Sequence, residues 1–109
     1  LALFKGAREQ QLRELKYVVQ DVDTPLIVCG DFNTFKEDEL NLLLEETRLH
    51  DAYAEADHPQ HNTAPTWNPK HRLDNVLHTP GISLDDYSVL DADFSDHLPV
   101  RLDYSVLTK

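Results

Sequence analysis

Two short stretches hold the side chains best suited to chemistry. The first is Asp31-Phe32-Asn33, inside PLIVCGDFNTFKEDEL (25–40). In extended backbone, residues two apart project to the same side, so a carboxylate and an amide would face one pocket where an apolar run ends. Such a pair can orient a water and hold a charged oxygen, and ligand sites in α/β proteins favour the carboxyl ends of strands. The same residues can instead cap the next helix or close an Asx turn. The second stretch is Ser95-Asp96-His97. Asp96 can ligate a hard cation through oxygen, and His97 can act as a general acid or donate to a phosphate. Read without a partner, the Asp-His pair is equally a solvated turn.

A third stretch, Arg72-Leu73-Asp74, opens an apolar run. Asp74 could fix a histidine's tautomer and stabilise its charged form, as the acid of a catalytic triad does, or pair with a surface cation. His58 and His61, near His50 and Asp51, could be drawn as a zinc site. Their spacing is loose, no cysteine accompanies them and Pro59 prevents a regular helix. The acidic clusters at 37–39 and 45–46 read as a solvated helix face. Trp67, Tyr87 and Tyr104 lack an interleaved Lys/Arg stripe, so they read as core or rim and not as base-stacking platforms.

These residues need elements to position them. Leu12, Leu15, Val18 and Val19 recur on one helical face, which predicts a helix over 7–21. Pro25 prevents its continuation. Leu26 to Cys29 form a continuous apolar run, the pattern of a strand covered on both faces and not at an edge, with Cys29 as a small buried hydrophobe. Thr34 and Glu37 fit a capping box ahead of Leu40, Leu43 and Leu44, so a helix is expected over 35–47. The stretch 50–71, rich in His, Pro, Asn and Asp, reads as a long functional loop whose only cations are Lys70 and, just beyond, Arg72. Strands are expected at 72–79, 87–92 and 98–106, the last from its strict alternation of Leu98, Val100, Leu102, Tyr104 and Val106 with polar residues and proline. One helix, one strand, one helix and three strands make an α/β or α+β chain.

Composition narrows the function. The 109 residues bound the chain to one domain or less. Apolar residues are 40% and charged residues 28%, with mean hydropathy −0.50, an ordinary soluble composition. A net charge of −10, from 20 acidic and 10 basic residues, argues against binding nucleic acid through a broad basic surface. It leaves room for phosphoester chemistry, since a cation offsets local carboxylates. A single cysteine excludes an intrachain disulfide. No apolar run approaches the roughly 18 residues of a membrane span, so stable membrane insertion is not expected. The N-terminal residues lack a secretory leader, and a cytoplasmic location is expected. They begin inside an apolar run without Met, as if cut from a longer protein.

Taken in order, PLIVCGDFNT (25–34), TWNPKHRLDNVLHTPG (66–81) and SDHLPVRLDY (95–104) resemble the endonuclease/exonuclease/phosphatase superfamily of metal-dependent phosphodiesterases. The resemblance runs nearly end to end over 1–109 but covers only the C-terminal portion of the family's domain. It implies an α/β fold, namely half of a four-layer α/β/β/α sandwich with two sheets face to face and helices outside.

It further implies catalytic roles for Asp31, Asn33, Asp74 and His97 and a metal role for Asp96. Asp31 would orient or deprotonate the attacking water, and Asn33 would contact the transferring phosphate. His97 would bond a phosphate oxygen, with Asp74 orienting and charging it. Asp96 would ligate the divalent cation, Mg²⁺ or Mn²⁺. The family's main metal-binding Asn and Glu, and a further catalytic His, belong to the absent N-terminal half. Asn75 stands where the family often has an aromatic. The implied function is a divalent-metal-dependent hydrolase of phosphoester bonds, a nuclease or phosphatase. Its substrate would be a nucleic acid, an inositol phosphate or a phospholipid head group. The alternative is a non-catalytic relative acting as a binding domain. The 109 residues alone are expected to be inactive, and to seek the missing N-terminal half or a second copy of the chain.

Overall fold

The computed structural model describes residues 1–56 and 62–107. His58 and His61 lie outside these residues. Helix α1 spans Lys5–Gln20 and ends at Asp21, ahead of the turn that reaches Pro25. Its inner face is the predicted one in part. Leu12 and Val19 are buried and Leu15 packs beside them, but Val18 is exposed. The remaining place on that face belongs to Arg8, one helical turn before Leu12. Arg8 is buried because its guanidinium meets the buried Glu39 carboxylate in two contacts, 2.5 and 3.0 Å.

After β1 (Ile27–Asp31) comes a single 3₁₀ turn at Glu37–Leu40, leading into the short helix α2 (Asn41–Leu44). The long helix expected over 35–47 is therefore not formed. Its intended cap explains this: Thr34 is buried, and its hydroxyl accepts from Asn75 Nδ2 at 3.3 Å, with no side-chain capping bond at the 3₁₀ turn. Glu46 in a left-handed conformation (φ 62°) marks the end of this region. Leu40 and Leu43 still reach the core beside α1.

The stretch read as a loop contains the two-residue strand β2 (His50–Asp51) and helix α3 (Ala52–Glu55), whose N-terminus is capped by Asp51. Then follow β3 (Asp74–His78), β4 (Ile82–Val89) and β5 (Val100–Val106). One sheet has the order β1-β3-β2, antiparallel throughout, and β4 and β5 form an antiparallel pair with an irregularity between Leu84 and Asp86.

The element covered on both faces is β3. Successive residues of a strand project to opposite sides. Leu77 enters a cluster with Leu12, Val19, Phe32, Leu40, Leu43 and Leu49, while Val76 enters a second with Ala52, Tyr87, Val89 and Leu98. The expectation for 26–29 is corrected. Among the described residues β1 pairs with β3 alone and lies at the sheet's edge, and Cys29 is exposed. Ile27, Cys29 and Gly30 line a groove of about 700 Å³ shared with Val76, Leu102 and Tyr104. An apolar run records a capacity for burial, and in β1 the described residues satisfy it only in part, through Ile27 and Val28. Asp31, at the carboxyl end of this strand, is where the chemistry collects.

Candidate active site

Strand register creates the site. In the antiparallel β1–β3 ladder Asp31 stands directly opposite Asp74. Like charges facing one another across strands are unfavourable, so this pairing requires compensation. His97 supplies it. Its Nδ1 lies 2.6 Å from Asp74 Oδ2 and its Nε2 lies 3.8 Å from Asp31 Oδ2. The imidazole therefore sits between two carboxylates on the paired strand ends, each of the three side chains partly open to solvent.

The loop that delivers His97 is fixed by backbone. Thr66 donates its amide to the Asp96 carbonyl (2.9 Å) and its hydroxyl to the Ser95 carbonyl (2.6 Å). The Leu98 amide donates to the Thr63 carbonyl at 2.7 Å, and the His97 amide to Ser95 Oγ at 3.2 Å. The His97 pKa is raised from 6.5, chiefly by its hydrogen bond to Asp74; partial burial opposes this, and the charges of Asp74, Asp31 and Asp96 add to it.

Asn33 lies elsewhere in geometry. The backbone leaves the extended region there (φ 52°), so the two-residue alternation of a strand does not hold at this position. Its amide N–H bonds Asp31 Oδ1 at 2.9 Å, an Asx turn, and its side-chain Nδ2 donates to the Leu1 carbonyl at 2.6 Å. Asp96 is exposed next to His97, with Ser95 Oγ 3.4 Å from its Oδ1. Of the five residues singled out from sequence, the fold thus gathers Asp31, Asp74 and His97, with Asp96 at the margin and the Asn33 amide turned to Leu1.

Donor atoms of Asp31, Asp74 and His97 lie within 4.8 Å of one another, a spacing compatible with a metal ion. The 2.6 Å approach of Asp74 to His97 is, however, shorter than the roughly 3 Å between neighbouring ligands of an octahedral Mg²⁺. That contact is a charge-assisted hydrogen bond, so these two atoms do not both ligate one ion.

Sequence reading missed the polar network beneath the site. Arg72 is not a substrate-facing cation. It is buried, with Nη1 2.5 Å from Asn75 Oδ1 and 3.1 Å from Asp51 Oδ2, and its guanidinium stacks 4.4 Å from the centre of the Tyr53 ring. Asn75, itself buried, also donates to the Leu73 carbonyl at 3.1 Å. Thr63 is fully buried under Asp74. No local pattern announces this network, because it also needs Asp51 and Tyr53 from a separate stretch of the chain.

Among solved structures, the chain is similar to a mannosyl-6-phosphatase of Bacteroides thetaiotaomicron (TM-score 0.76, 21% identity, covering 94% of this chain and 47% of that one). A second is the endonuclease/exonuclease/phosphatase of Bacteroides vulgatus (TM-score 0.77, 21% identity, 94% and 45%). A third is the catalytic domain of human Nocturnin with a bound sulfate anion (TM-score 0.64, 26% identity, 98% and 45%). The chain spans about half the length of these structures. No curated protein gave a match. A family model matches residues 2–97, which include every residue of the site, and on that match the chain belongs to the endonuclease/exonuclease/phosphatase family.

Proposed function

We propose that the whole protein is a divalent-metal-dependent hydrolase of phosphoester bonds. One observation supports this above the others: a histidine held at 2.6 Å by one aspartate and facing a second, across a strand pairing that places the two acids together. Its Nδ1–H is engaged by Asp74, so Nε2 is the atom left to donate to a phosphate oxygen. Asp31 Oδ2, 3.8 Å from that nitrogen, is placed to orient or deprotonate a water attacking the same phosphorus. The Asn33 amide would contact the phosphate only after leaving the Leu1 carbonyl. Asp96 would hold Mg²⁺ or Mn²⁺, together with ligands from the rest of the protein. Such an ion neutralises charge developing on the phosphoryl oxygens.

Substrates by this reading are phosphoesters: a nucleic acid, an inositol phosphate or a phospholipid head group. The net charge of −10 favours a small substrate over a long polyanion. The site also needs its other half. The matched structures are about twice as long, and the groove beside His97 is apolar and open along the edge of β1 that no described residue pairs. We take the N-terminal half of the family fold as its occupant.

The test is hydrolysis of a phosphodiester and a phosphomonoester panel by the full-length protein. Activity should vanish with EDTA, return with Mg²⁺ or Mn²⁺, and fall by about 10² to 10⁴ in His97→Ala. Metal-independent activity, or unchanged rates in the variant, removes the reading.

A further inference from the structure

We propose that Thr63 is a positioning residue that sets the His97–Asp74 contact. It is fully buried, and it bonds the backbone of Asp74 and of Leu98, the residue after His97. Its hydroxyl oxygen accepts the amides of Leu73 (3.2 Å) and Asp74 (3.3 Å), fixing the start of β3. Its carbonyl accepts the Leu98 amide at 2.7 Å, fixing the residue after His97. Its own amide donates to the His71 carbonyl at 2.8 Å, which anchors Thr63 to the chain entering Asp74. The acid and the imidazole lie 23 positions apart, and this one residue bonds the backbone on each side of their 2.6 Å contact.

A hydrogen bond that short between an imidazole and a carboxylate tolerates little displacement. The Thr63 hydroxyl also satisfies two amides that would otherwise lie unpaired beneath the site. Thr63→Val keeps the shape and deletes that acceptor. Thr63→Ser keeps the acceptor and removes only a methyl group.

Two measurements test this. The first is the His97 Nδ1–H proton resonance of the full chain, which the short hydrogen bond shifts strongly downfield. It should persist in Thr63→Ser and be lost or move upfield in Thr63→Val. The second rests on the hydrolase reading: in the active full-length protein, Thr63→Val should lower kcat about 10- to 100-fold with KM little changed, and Thr63→Ser should restore it. If Thr63→Val does not fold, Thr63→Cys serves, since sulfur is a weak acceptor of similar size; a smaller upfield movement and a few-fold loss of kcat are expected. An unmoved resonance in a folded variant of either kind, with melting temperature alone reduced, overturns the proposal. A wild-type protein that hydrolyses no phosphoester defeats the hydrolase reading, while the resonance still decides the role of Thr63.

Discussion

At the scale of single residues, the site balances charge around one imidazole. Asp31 and Asp74 face each other by strand register, and His97 lies between them. Asp74 holds the imidazolium form, so the pKa of His97 is raised. The sign follows from linkage. A group whose folded-state pKa exceeds its unfolded value of 6.5 stabilises the fold fully below that pH, and this share is lost as pH rises through the folded value. Without metal, an NMR titration should place His97 above 6.5, and Asp74→Asn should move it down. Equal titration midpoints in the two proteins would show that Asp74 does not hold the charge.

At the scale of elements, two buried polar features govern stability. Arg8 joins α1 to the 3₁₀ turn through the buried Glu39, and its Nη1 also donates to the Leu3 carbonyl at 2.6 Å. Arg8→Ala leaves a buried carboxylate without its cation, and a loss of about 3–5 kcal/mol is expected from urea denaturation. Replacing both partners with apolar residues of similar volume should recover much of it. Tyr87, on β4, packs against Val76 from the first sheet, and burial pushes its phenol up to about 12. Its unfolded form ionises near 10, so stability should fall between pH 10 and pH 12 by about 1.4 kcal/mol per unit. Tyr87→Phe should flatten that slope, as read from denaturation midpoints across the range.

At the scale of the whole molecule, the faces of the described residues do not close. Phe94 is 82% exposed and Tyr104 48%, both on the groove that also exposes β1. Large open apolar surfaces and free strand edges recruit further chain. The 109 residues should self-associate on gel filtration, and co-expression with the N-terminal half of the family fold should give a 1:1 complex at the mass of one domain. A clean monomer that ignores the added half would show that the groove is not a domain interface. Leu102→Asp, in the groove, should weaken the complex without altering the His97–Asp74 contact.

The sequence by itself determined a good deal. Gly30-Asp31 at the end of an apolar run, Asp74 opening another, and Asp96-His97 before an alternating strand are local patterns; α1 and β5 were legible from periodicity, and β1 and β3 from short apolar runs closed by turn residues. The order of those motifs carried the family. Tertiary structure decided what local pattern cannot encode: that Asp31 meets Asp74 by antiparallel register, that β3 and not β1 is enclosed, that Thr34 gives its oxygen to Asn75 and forgoes a helix cap, and that Thr63 lies under the dyad. The physical reason is common to all four. Periodicity reports which faces seek burial, whereas hydrogen-bond partners and strand neighbours are fixed only when segments far apart in the chain compete for the same buried donors and acceptors.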